Sequence, residues 1–97
     1  MELLPNKAYI ITESGDIQEI SPSNGKTFEL SEVQKLVDGY IEVVYLTEKQ
    51  IMIINEEGKF CKEYNSIATG IADIHHAITE GDYICGDAVI CPSEMLP

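Results

Sequence analysis

Residues 39–59, GYIEVVYLTEKQIMIINEEGK, constrain the fold more than any other stretch. Tyr40 to Leu46 reads as a strand, with Ile41, Val43 and Tyr45 on one face and Tyr40, Glu42, Val44 and Leu46 on the other. Thr47-Glu48-Lys49-Gln50 is a connecting turn. Ile51-Met52-Ile53-Ile54 is apolar on both faces, the pattern of a strand covered from both sides. Asn55-Glu56-Glu57-Gly58-Lys59 is a second polar turn, with Gly58 suited to positive φ. One residue resists the pattern. Glu42 is a carboxylate in a strand expected to be central, where burial is costly unless the charge is paired or solvated.

The flanking segments supply the covering layers. Residues 8–12, AYIIT, predict a strand, Ser14-Gly15-Asp16 a turn, and the alternating IQEI at 17–20 a second strand of the first hairpin. Residues 21–25 are a loop by composition. A short helix of about two turns follows. Ser31 is its expected N-cap, Gln34 stands at the capping-box position, and Gly39 is the αL cap. Val33, Leu36 and Val37 form its apolar face.

Phe60 and Cys61 are placed at the start of a short third strand in this half. Asn65 or Ser66 caps a second helix, whose stripe of Ile67, Ile71, Ile74 and Ile78 ends at Gly81-Asp82. Gly70 either weakens that helix by about 1 kcal/mol against Ala or lets it approach the sheet closely. Residues 83–91, YICGDAVIC, read as a last strand with a bulge or kink at Gly86-Asp87, and the tail PSEMLP is expected to fray. The order is β-β-α-β-β-(β)-α-β. It predicts a single α+β domain over 1–97, a small antiparallel or mixed β-sheet with two helices packed on it.

Charge narrows the partners. Seventeen acids face six lysines, the formal net charge is −11, and the last lysine is Lys62. Such a surface repels duplex DNA and anionic lipid. Two readings survive: a solubilising surface, or an acidic face that meets a basic partner, a nucleic-acid mimic being its extreme. No apolar run spans a membrane and the N-terminus lacks the pattern of a secretory signal, so cytoplasmic residence is expected. Cys61, Cys85 and Cys91 form no C-x-x-C pair and are expected to be buried thiols rather than a disulfide or zinc framework.

Several residues could carry chemistry. Glu42 could accept from a ribose hydroxyl or base amine, against a plain reading in which water solvates it or Lys35 or Lys59 pairs with it. Asn55, Glu56, Gly58 and Lys59 are ordinary turn residues, or a set of N–H groups and one ammonium for a phosphate. Lys59 and Lys62 are the local cations. Asn65, Ser66 and Thr69 sit at a helix start, as caps or as anion ligands. Tyr64 is the candidate stacking platform among five tyrosines, most of them expected in or near the core. His75 and His76 are adjacent and cannot grip one ion in the H-x-x-x-H manner. Asp82 and Asp87 beside glycines read as turn chemistry before metal ligands. No nucleophile–base pair or metal cluster is visible, so neither catalysis, metal nor cofactor is expected.

The run LSEVQKLVDGYIEVV at 30–44, NEEGK at 55–59, Asn65 opening an Ala/Ile-rich helix, and I-x-G-D-A-V-I at 84–90 together resemble domain-of-unknown-function family 3846. The resemblance covers roughly residues 8–91. It implies a small accessory protein of phages, plasmids and prophage-bearing bacteria, acting in the host bacterial cytoplasm. Small phage proteins of this class often counter host defences. The leading expectation is therefore a non-enzymatic anti-defence binder that sequesters a nucleotide-like immune signal. Its site would use the 55–69 region with Glu42 and a tyrosine, in a pocket between subunits of a homo-oligomer. The alternative is an acidic inhibitor of a basic host protein. A nucleotide hydrolase is third.

Overall fold

The computed structural model describes residues 2–96. The strands are β1 (Ala8–Ile11), β2 (Ile17–Ile20), β3 (Ile41–Tyr45), β4 (Gln50–Asn55) and β5 (Ala88–Pro92). The helices are α1 (Leu30–Val37), a single turn α2 (Gly58–Cys61) and α3 (Ser66–Ile74), with a 3-10 turn at Ser93–Met95. The sheet order is β2-β1-β5-β4-β3 and each pairing is antiparallel. The fold is α+β, as the element order implies, and the sheet is antiparallel rather than mixed.

The last strand enters the middle. β5 lies between β1 and β4; β5 is buried along its whole length and β4 from Ile51 to Asn55. That explains why IMII and AVIC carry apolar residues at consecutive positions. On one face, Val33 and Val37 of α1 and Phe28 pack on Ile51, Ile53 and Val89. On the other, Ala68 and Ala72 of α3 and Ile84 pack on Ile11, Met52 and Ile90. Truncating one of the large buried residues here, such as Ile53 or Met52, costs about 2–5 kcal/mol.

This order overturns one expectation. β3 is an edge strand, not a central one. Glu42 therefore stays exposed to water and needs no buried partner. Among the described residues the ion pairs are Lys7–Glu19, Lys59–Asp82 and Lys62–Asp38, so neither Lys35 nor Lys59 pairs with Glu42.

The caps also differ in detail. α1 starts at Leu30 behind Glu29, not behind Ser31, and the Glu32 carboxylate accepts from Glu29 N–H and Ser23 N–H at 3.0 Å each. Those two backbone donors hold Glu32 below the ordinary carboxylate range. Asp38, not Gly39, takes the αL conformation, with φ 58°. Asp is among the few residues that tolerate it. The 58–61 segment is a helical turn instead of a third strand. Gly58 is not at positive φ; it is needed because a Cβ would stand 2.6 Å from the Cys85 carbonyl oxygen.

α3 stops at Ile74, short of the predicted Gly81, because His76 turns to φ 54°. Of the predicted stripe, Ile67 and Ile71 pack on the α3-side cluster and Ile78 does so from beyond the helix, but Ile74, at the point where the helix ends, is 77 % exposed. Nothing lies within 4 Å of a Cβ at Gly70, which removes the close-approach reading. The 83–91 segment breaks at Gly86 (φ 88°), as its Gly-Asp pair suggests. Cys85 bridges to Tyr64 before the kink, and the ladder resumes at Ala88. The tail docks instead of fraying: Met95 C=O accepts from Phe28 N–H at 2.8 Å, and Met95 and Leu96 cover the α1-side cluster. Pro97 lies outside the described residues.

Candidate functional site

Two buried asparagines set the frame around the candidate site. Asn65 is the N-cap of α3: its Oδ1 accepts from Ala68 N–H at 3.0 Å. Its Nδ2 donates to Ile11 C=O at 3.0 Å and Gly86 C=O at 2.8 Å. It thus ties β1, the kink before β5 and α3 into one knot. Asn55 does the same at the far end of β4. Its Nδ2 donates to Val37 C=O at 3.1 Å and Asp38 C=O at 2.9 Å, carbonyls at the end of α1 that lack a partner in the helix, and its Oδ1 accepts from Glu57 N–H at 2.7 Å.

Both side chains are buried with their hydrogen-bonding capacity spent on the fold. Neither side-chain amide is left for a ligand; the anion reading of these positions concerns turn and cap N–H groups, and that of Asn65 already donates to Ile84 C=O at 2.9 Å. Thr69 is similarly engaged, its hydroxyl accepting from Ile84 N–H at 2.9 Å. Ser66 is exposed at the start of α3 and lies outside the cleft described next.

The cleft, of about 180 Å³, lies where α3 fails to cover the β3–β4 end of the sheet. Glu42, Glu56, Lys59, Phe60, Asp82 and Tyr83 provide its polar and aromatic rim, over a floor that includes Val44 and Ile54. Strand alternation puts Glu42 on the same face as Val44. The α2 turn presents Phe60, which is 89 % exposed. Gly58 permits this by letting α2 sit against Cys85.

Lys59 is paired with Asp82, and its ammonium stands 4.9 Å from the centroid of the Tyr83 ring. The Asp82 hydrogen bond raises the Lys59 pKa, and the same bond, with Tyr83 N–H, holds Asp82 below its usual range. Tyr64 meets Tyr83 edge to face, ring centroids 6.2 Å apart. Of the predicted residues, then, Glu42, Asn55 and Lys59 converge on the cleft with Glu56 and Gly58, and Tyr64 flanks it.

Lys62 does not join them. It turns to Asp38 at 2.5 Å, in a separate hollow with Glu13 and Asp87. The Asp38 bond raises the Lys62 pKa and lowers that of Asp38. Asp87 accepts from Glu13 N–H at 2.9 Å, a turn-bracing role. The tyrosines are less buried than expected: Tyr9 is in the core, while Tyr40, Tyr45, Tyr64 and Tyr83 are exposed. Cys85 and Cys91 are buried as expected, and burial pushes the Cys91 thiol up to about 11; Cys61 is exposed. Phe60 and Tyr83 as rim residues were not singled out from sequence. Phe60 carried a signal, an aromatic between Lys59 and Lys62 in a polar turn.

Residues 6–95, nearly the whole chain, match the model of the family described as a domain of unknown function, DUF3846. The chain belongs to the DUF3846 family. No curated protein and no solved structure matches it. The matched range takes in all five strands and all three helices of this DUF3846 chain, so cleft, knots and both sheet edges lie inside it.

Proposed function

We propose that this DUF3846 chain is a non-enzymatic binding protein, an accessory of a phage or other mobile element, that holds a basic host protein through the acidic end of its sheet. The observation that carries this is the cleft. Three carboxylates face one ammonium there, that ammonium is already matched by Asp82, and Phe60 stands out into solvent beside them. An exposed aromatic set among carboxylates suits a basic side chain whose stem is apolar and whose head is charged. The net charge of −11 adds attraction at long range. The mobile-element setting is the one the family resemblance implies. Capture from host lysate on the immobilised chain, at low and at high salt, tests it. A basic protein retained at low salt and released at high salt is expected; retention of no basic protein would overturn it.

The second reading is sequestration of a nucleotide-like defence signal. Lys59 over the Tyr83 ring, with Phe60 on the same rim, favours it as a site for a base. Two observations weigh the other way. Lys59 and Lys62 are both occupied by aspartates, leaving little for a phosphate. The volume of about 180 Å³ is below the 300 Å³ or so of ordinary ligand pockets, so such a ligand needs a second subunit to close it. Calorimetry with cyclic nucleotides and ADP-ribose derivatives decides this reading. Binding at tens of micromolar or tighter would favour it over the protein-binding one.

A further inference from the structure

The outer side of β3 runs along the mouth of the cleft, and its hydrogen-bonding direction follows from the register. Glu56 N–H donates to Tyr40 C=O and Leu46 N–H donates to Gln50 C=O. With Glu42 opposite Ile54 and Val44 opposite Met52, residues 40, 42, 44 and 46 spend their backbone groups on β4. Ile41, Val43 and Tyr45 therefore aim both N–H and C=O outward, beyond the last strand of the sheet. Residues 40–46 contain no lysine and no proline, two common devices that stop an edge from recruiting another strand.

The two faces of this edge differ. On the α3 side stand Glu42 and the cleft carboxylates. On the α1 side, Ile41 and Val43 are half-buried and Tyr45 is 72 % exposed. A strand added antiparallel to β3 lays its side chains alternately over these two faces. The residues opposite Ile41, Val43 and Tyr45 need to be apolar, and those between them need to be cationic to meet Glu42. A second copy of this chain fits poorly, because it brings another net charge of −11 and a second Glu42 to the same edge.

Resting on the basic-partner reading above, we propose that β3 recruits an extended basic segment of the partner as a sixth strand, with lysine or arginine alternating with β-branched residues.

The probe is the capped heptapeptide Lys-Val-Lys-Val-Lys-Val-Lys, titrated calorimetrically into the full chain. It is compared with a block peptide of the same composition, Lys-Lys-Lys-Lys-Val-Val-Val, with its glutamate counterpart, and with a form N-methylated at the valines. The alternating peptide is expected to bind at least about tenfold tighter than either: the N-methylated form loses two or more edge hydrogen bonds, and the block form keeps its backbone groups but sets lysines against the apolar face and valines against Glu42. The glutamate peptide should not bind. Val43→Pro removes an outward N–H without touching the β4 ladder and should weaken the alternating peptide similarly; Glu42→Lys should weaken it through charge. The N-methylated peptide keeps the test valid should Val43→Pro fail to fold. Equal affinity for alternating and block peptides would overturn the sixth-strand proposal and leave the basic-partner reading standing. Binding of neither peptide would overturn both. A dimer of the free chain by sedimentation, lost in Val43→Pro, would assign the edge to a second copy and overturn the proposal.

Discussion

β2 and β3 close the same sheet at opposite sides, and the chain finishes them differently. β2 has four residues, exposes Gln18 and Glu19, and is guarded by the Lys7–Glu19 ion pair. β3 has five, aims the backbone N–H and C=O of Ile41, Val43 and Tyr45 outward, and carries Glu42 as its sole charge. A paired charge of each sign blunts an edge toward most strands. A lone carboxylate on an acidic chain discourages a second copy but not a basic segment. The two edges are also anchored differently. Asn65 ties the β1 side into the core through three bonds. Asn55 holds the end of α1, and so the approach to β3, from the rim of the cleft.

The knots give the largest expected effects. Asn65→Ala removes three buried hydrogen bonds from the core and should cost about 3 kcal/mol of stability, read by urea unfolding. Asn55→Ala should cost less, about 2 kcal/mol, because two of its three bonds are only partly buried. It should also speed amide exchange at Glu42 and Val44, whereas Asn65→Ala should not single out β3. If Asn55→Ala leaves β3 unchanged, that strand is positioned by β4 alone. Gly58→Ala should cost about 1–2 kcal/mol by pushing α2 off Cys85, and should displace Phe60 from the cleft. An unchanged stability there would mean that α2 yields freely.

Much of this architecture was legible in residues 39–59. The doubly apolar IMII run marks a strand covered on both sides, and β4 is one. The neighbours of β4 were not legible, because insertion of β5 between β1 and β4 is a pairing between distant segments that local periodicity does not encode. Hence Glu42 was expected in a central strand when it is an edge residue, and of its plain readings the solvated one holds. The site was half legible. Glu42, Asn55 and Lys59 do converge, but Asn55 and Asn65 are spent on backbone groups that only the tertiary arrangement brings near. Asp82 reaches Lys59 across 23 residues of chain, which no turn motif signals.

Smaller effects separate the open end of the sheet from its closed centre. A thiol reagent should modify Cys61 in the native chain, with Cys85 and Cys91 reacting only on unfolding. For Cys91 the raised thiol pKa of about 11 reinforces burial. Native-state modification of Cys91 would mean that the sheet centre opens readily.

The smallest effect is in pH dependence. Asp82 and Asp38 have carboxyl pKa values depressed below 3.8 by their lysines. Their stabilising contribution is thus complete above about pH 4 and is lost as pH falls through the depressed values. Carboxyl NMR titration should give midpoints under 3.8 for both, and Lys59→Met should move Asp82 upward while leaving Asp38 in place. An Asp82 midpoint insensitive to Lys59→Met would dissolve the ion pair assigned to the cleft.

The contrast between the edges is tested most directly by residue-resolved amide exchange of the full chain with and without the alternating Lys-Val heptapeptide. Slowed exchange at Ile41, Val43 and Tyr45, with Ile17 and Glu19 on β2 unchanged, is the expected result. Equal slowing at both edges, or none at β3, would contradict it.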